Sequence, residues 1–149
     1  MNDDELMAGI RSAFEVLDPV PEEVLAAARS AIAWRTPSAL LAEQAHDRAP
    51  RPAAGVRGGA ARVLTFTCAA ATVEIAVWEH GAEREITGRL VPPSPGTVRV
   101  RHRDLPPDGA TARAETAGMF WVPSVPEGLV SLALRLDDGT SIVTSWVRL

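Results

Sequence analysis

Hydrophobic positions recur along this chain with two different periods. Over residues 3–46 they return every three or four places, and from Arg62 onward they return every second place. The first period belongs to amphipathic helices and the second to half-buried strands. Leu6, Ile10, Ala13, Phe14 and Leu17 share one helical face, so a helix is predicted from Asp3 to Leu17, with Asn2 and Glu5 spaced as a capping box. Asp18-Pro19-Val20-Pro21 interrupts it, because a residue before proline avoids the α region. A second helix is predicted to start near Pro21, with Glu22 and Glu23 in its electropositive first turn. Val24, Ala28, Ala31 and Ile32 form its apolar face, with Leu25 at the edge. Thr36-Pro37 ends that helix and can cap a third, short one carrying Leu40, Leu41 and Ala45. Helices this short are not stable alone in water. Each needs an apolar surface, supplied by another helix, by the rest of the chain or by a partner.

Residues 47–61 have no periodicity and are rich in Pro, Gly and Ala, which predicts a flexible linker. Beyond it the alternation is sustained. Leu64, Phe66 and Cys68 alternate with Val63, Thr65 and Thr67; Val73, Ile75 and Val77 with Glu74, Ala76 and Trp78. Ile86, Gly88 and Leu90 alternate with Glu85, Thr87 and Arg89; Val98, Val100 and His102 with Arg99, Arg101 and Arg103. Further strands are predicted over 111–116, 119–122, 129–136 and 141–148. Turn signals stand at His80-Gly81-Ala82, Pro92-Pro93-Ser94-Pro95-Gly96, Leu105-Pro106-Pro107-Asp108-Gly109 and Asp137-Asp138-Gly139-Thr140. Short alternating strands with regular turns predict an antiparallel β-sandwich. The expected organisation is an acidic helical segment over 1–46, the linker over 47–61 and the sandwich over 62–149.

Two stretches carry resemblances. Glu85-Ile86-Thr87-Gly88-Arg89-Leu90, Gly96-Thr97-Val98-Arg99-Val100 and Ala114-Glu115-Thr116-Ala117-Gly118-Met119-Phe120-Trp121-Val122-Pro123-Ser124-Val125-Pro126-Glu127-Gly128 resemble the carboxypeptidase regulatory-like domain over about 83–149. Ala117 departs from that pattern, which usually has an acidic or polar turn residue there. The resemblance implies a prealbumin-like β-sandwich without catalytic chemistry, a statement about fold alone. With Asp18-Pro19-Val20-Pro21-Glu22-Glu23-Val24-Leu25-Ala26-Ala27-Ala28-Arg29 through Trp34-Arg35-Thr36 as its most telling stretch, the whole chain is similar to small soluble proteins of high-GC Gram-positive bacteria whose genes often sit beside a sigma-factor gene. That resemblance implies a role in transcription regulation.

Charge sharpens the picture of the first third. Residues 1–46 hold eight carboxylates and three arginines, a net of −5 within a total of −4. A segment of that sign is repelled by phosphate and drawn to a basic partner, so no direct nucleic-acid contact is expected. Every basic residue is arginine, and the absence of lysine excludes Schiff-base and phosphate-loop lysine chemistry. No apolar run reaches the roughly 18 residues of a membrane span. The acidic start Met1-Asn2-Asp3-Asp4-Glu5 is unlike a signal peptide, and the single cysteine, Cys68, excludes an internal disulfide; a cytoplasmic protein is expected.

Candidate chemistry is sparse. His46, His80, His102 and Cys68 show no metal-ligand spacing, so no metal and no cofactor are expected. His46 reads as a helix end, His80 as a turn residue and His102 as a strand residue. No nucleophile elbow is present, and Asp137-Asp138 reads as a turn, so no enzyme is expected. What remains is four tryptophans in a chain without tyrosine. If Phe120 and Val122 point inward, Met119 and Trp121 point outward, and Trp78 lies opposite Val73, Ile75 and Val77. Trp78 and Trp121 are then either covered by other parts of the chain or a second binding surface.

The expected function is a non-enzymatic regulatory protein that binds a sigma factor as an anti-sigma or accessory factor. Leu6, Ile10, Phe14, Leu25, Ile32 and Trp34 would carry the contact, in a helix-in-groove mode. The alternative is a structural or adaptor module that binds another protein through sheet edges or loops. The sequence leaves the oligomeric state open.

Overall fold

The computed structural model of the chain describes residues 2–50 and 60–149. They divide into two compact units, Met1–Arg35 and Thr36–Leu149.

The first unit holds α1 (Asp3–Leu17) and α2 (Glu22–Ala33). The capping box forms: Glu5 N donates to Asn2 Oδ1 at 2.8 Å, and Asn2 N donates to Glu5 Oε2 at 3.2 Å. Asp18 N closes the end of α1 on the Phe14 carbonyl. Pro21 caps α2, and its carbonyl accepts from Val24 N and Leu25 N. No side chain of α1 is buried.

The second unit is mostly β. Its strands are β1 (Leu40–Arg48), β2 (Arg62–Thr67), β3 (Thr72–His80), β4 (Glu83–Val91) and β5 (Gly96–Arg101), followed by β6 (Thr111–Ala114), β7 (Met119–Pro126), β8 (Leu129–Leu136), β9 (Ser141–Thr144) and β10 (Val147–Arg148). They form one sheet in the order β6-β5-β8-β9-β1-β2-β3-β4-β7, with β10 paired to the start of β8. The sheet curls until it is nearly a barrel. Its two end strands, β6 and β7, are consecutive in sequence, and the turn between them is tied by Glu115 N to the Met119 carbonyl and Gly118 N to the Glu115 carbonyl.

The third helix does not form. Leu40–Arg48 is a strand, and it runs through the middle of the sheet. Leu40, Leu41 and Ala42 pair in parallel with Ile142, Val143 and Thr144 of β9, and Glu43 to Arg48 pair antiparallel with β2. Leu40, Leu41, Ala42 and Ala45, four apolar residues in nine positions, fit either period, and the backbone partners offered by β9 and β2 decide the outcome. Ala42 is fully buried at that junction. The expected boundary at residue 46 therefore falls inside β1: Asp47 and Arg48, expected in the linker, end the strand, while the linker's residues 51–59 lie outside the described residues. The β1–β9 pair is parallel, whereas an all-antiparallel arrangement was expected.

Elsewhere the alternation is realised residue by residue. Leu64, Phe66, Val73, Ile75, Val77, Ile86 and Leu90 are buried, and so are Val98, Val100, Phe120, Val122, Leu132, Leu134 and Ile142. The Asp137-Asp138-Gly139-Thr140 turn joins β8 to β9, with Gly139 at φ 91° and Asp138 Oδ1 accepting from Thr140 N at 2.8 Å. The strand predicted at 119–122 continues to Pro126, and that predicted at 141–148 breaks into β9 and β10. His102 lies just past β5 and is 2% exposed. Its Nδ1 accepts from Asp104 N at 3.0 Å, so its Nε2 carries the proton donated to the Glu127 carbonyl at 3.1 Å.

Candidate protein-binding surfaces

Two surfaces gather the side chains singled out in the sequence. The first lies on the helical unit. Leu6, Ile10 and Phe14 are spaced by four along α1, which stacks them on one face. They are 46%, 41% and 64% exposed. On α2, Leu25 is half-buried and Ile32 is exposed; Trp34 is the C-cap and is half-buried. The six residues thus belong to one unit, with apolar surface left open on both helices.

The second surface is the outer face of β3, β4 and β7. Buried positions alternate along each strand, so the register fixes which side chains share the outer face. Glu74 pairs with Arg89, and Arg89 with Met119; Ala76 pairs with Thr87, and Thr87 with Trp121; Trp78 pairs with Glu85. Trp78 and Trp121 therefore stand on one face, on either side of β4. Both face outward as the alternation predicted. Trp78 is half-buried, Trp121 is 57% exposed and Met119 is 48% exposed. Between the flanking residues Val63 and Met119, the small side chains Ala76 and Thr87 leave a shallow depression of about 170 Å³.

Glu85 organises one end of this face. Trp121 Nε1 donates to Glu85 Oε1 at 2.9 Å, and His80 Nε2 lies 3.2 Å from Glu85 Oε2. The carboxylate thereby holds the indole of one strand and the imidazole of another. Arg89 Nε donates to Glu74 Oε2 at 2.6 Å at the other end, and that hydrogen bond raises the Arg89 guanidinium above its ordinary value. The sequence reading did not single out Glu85, although its alternation with Ile86 already placed it on the outer face beside Trp78.

The remaining candidates are dispersed. His46 lies exposed on β1 instead of ending a helix, and half-buried Cys68 donates its thiol to the Ala71 carbonyl at 3.5 Å. Among the described residues, no three His, Cys, Asp or Glu side chains gather in a group that could hold a metal ion. No described helix is long and apolar enough to cross a membrane.

The fold and these faces define a β-rich protein with a two-helix appendage and apolar side chains open to solvent on both units. No family model, no curated protein and no solved structure matches the chain.

Proposed function

We propose that this chain is a cytoplasmic, non-enzymatic regulatory protein that binds a sigma factor through its N-terminal helices, in an anti-sigma or sigma-accessory role. The observation that carries this reading is the exposure of Leu6, Ile10 and Phe14 on one face of α1. A three-residue apolar stripe on an amphipathic helix is the element used in helix-in-groove recognition. Its charge completes the reading. Residues 1–35 hold seven carboxylates and three arginines, a net of −4, which suits a basic partner surface such as one that contacts DNA. The resemblance of the whole chain, residues 18–36 above all, to proteins encoded beside sigma factors selects that partner class. Residues 83–149 resemble the carboxypeptidase regulatory-like domain, so the β unit is read as a prealbumin-like sandwich that carries the helices without chemistry of its own.

Affinity capture from the native cell tests this directly. The full-length chain is expected to recover a sigma factor, and the Ile10→Ala/Phe14→Ala double variant is expected to lose it. Recovery of no sigma factor by the unaltered chain would overturn the proposal. The exposure of Trp121 and Met119 on β7 favours a second reading, an adaptor that binds a protein on its sheet face. In that case capture survives the α1 double variant and is lost with Trp121→Ala.

A further inference from the structure

The outer face of β5, β6, β8 and β9 has a different chemistry from that of β3, β4 and β7. A half-open cavity of about 350 Å³ lies on it, within the range of about 300–1,000 Å³ typical of small-ligand sites. Arg99 of β5 and Arg135 of β8 line it, together with the hydroxyl-bearing Thr97, Thr111 and Ser141 and the turn residue Asp108. Arg99 pairs with Ala133 across the ladder, and Arg135 pairs with Thr97. The two arginines are therefore diagonal neighbours on adjacent strands, a spacing of roughly 7–8 Å that forked side chains close easily. Ala133, with parts of Leu134 and Ile142, forms an apolar portion of the wall.

The two guanidiniums lack the carboxylates that accompany other arginines of this unit. Arg62 binds Asp47, Arg89 binds Glu74 and Arg113 binds Asp137. Neither Arg99 nor Arg135 has an ion-pair partner among the described residues. The local excess of positive charge is felt next door: burial first, and then the Arg99 charge, pull the Arg101 guanidinium below its ordinary value.

We propose that this cavity binds a small hydroxylated organic anion, its phosphate or carboxylate held between Arg99 and Arg135. Two guanidinium forks supply parallel donors matched to oxyanion geometry. Thr97, Thr111 and Ser141 offer hydroxyls to the ligand's own hydroxyl groups, and Asp108 offers an acceptor that a bare anion could not use. The apolar wall takes the carbon skeleton. This site lies on the β unit and does not depend on what the helices bind.

Glucose 6-phosphate, gluconate and inorganic phosphate are the probes, titrated into the full-length chain and followed by amide chemical shifts. Saturable shifts at 97–99, 111 and 133–141 are expected for at least one of the two hydroxylated anions, with weaker binding of inorganic phosphate. Comparison of glucose 6-phosphate with gluconate distinguishes a phosphate head from a carboxylate. Arg99→Gln and Arg135→Gln should each weaken binding at least tenfold while leaving the melting temperature near that of the unaltered chain. Arg135→Lys, which keeps the charge and loses the fork, should lie between. Arg89→Gln, on the opposite outer face, should change nothing. Absence of saturable binding by both hydroxylated probes would overturn the proposal. So would equal losses in Arg89→Gln and Arg135→Gln, or inorganic phosphate binding as tightly as glucose 6-phosphate.

Discussion

Arg62 holds Asp47 through two parallel hydrogen bonds, Nε to Oδ1 at 2.9 Å and Nη2 to Oδ2 at 2.7 Å. Its remaining nitrogen, Nη1, donates to the Arg148 carbonyl at 2.6 Å. One side chain thus ties the end of β1 and the start of β2 to β10. The fork geometry makes this pair more specific than most surface ion pairs.

Asp47 should impose a pH dependence on stability. The Arg62 hydrogen bond, with the Arg62 charge assisting, holds the Asp47 carboxyl below the ordinary value of 3.8. Asp138 is lowered too, chiefly by the Thr140 backbone N–H. A carboxyl depressed in the folded state contributes stability above its unfolded value and loses it as pH falls through the folded value. Urea midpoints should therefore be steady at neutral pH and fall below about pH 4, with a shallower acid limb in Asp47→Asn. Superimposable acid limbs would show that the pair contributes nothing. Both side chains are about one-third exposed, so solvent screening should limit the effect at neutral pH to at most about 1 kcal/mol.

A second expectation concerns where the β unit can be cut. β1 lies between β9 and β2, so residues 62–149 lack a central strand and would expose two unpaired edges. Residues 36–149 should melt cooperatively by circular dichroism, whereas residues 62–149 should not. Equal, cooperative melts would mean that β1 is dispensable.

Phe120 fills the space that Gly88 leaves on the neighbouring strand. The two pair across β4 and β7, and a Cβ on Gly88 would overlap the Phe120 ring. Phe120→Ala should cost about 3–5 kcal/mol by denaturant unfolding. Gly88→Ala should cost about 1–3 kcal/mol through overpacking. The double variant should cost less than the sum, because removing the ring makes room for the methyl. Strict additivity would deny the contact.

The outward-facing aromatics should behave in the opposite way. Phe14 and Trp121 are 64% and 57% exposed. Phe14→Ala should leave stability within about 0.5 kcal/mol of the unaltered chain. Trp121→Ala should cost at most about 1 kcal/mol, chiefly the hydrogen bond to Glu85. A loss as large as that of Phe120→Ala would place either side chain in the core, and its role in binding would have to be abandoned.

Much of this molecule was legible before folding. A period of two, sustained through residues 62–149, determined which side chains enter the core, because successive residues of a strand must point to opposite sides. The Asn2–Glu5 box and the Gly139 turn were equally local, each satisfied within four residues. The outward direction of Trp78, Met119 and Trp121 followed from the same alternation. The character of Leu40–Arg48 was not local. Its four apolar residues fit a helix or a strand, and only the free edges of β9 and β2 made it a strand. The partners of Glu85, the Asp47–Arg62–Arg148 tie and the clustering of Arg99 with Arg135 also arose only in the folded sheet. Periodicity in a sequence specifies the face a residue occupies, whereas strand order and register specify its neighbours. Those are set by the packing of the β unit around its own core.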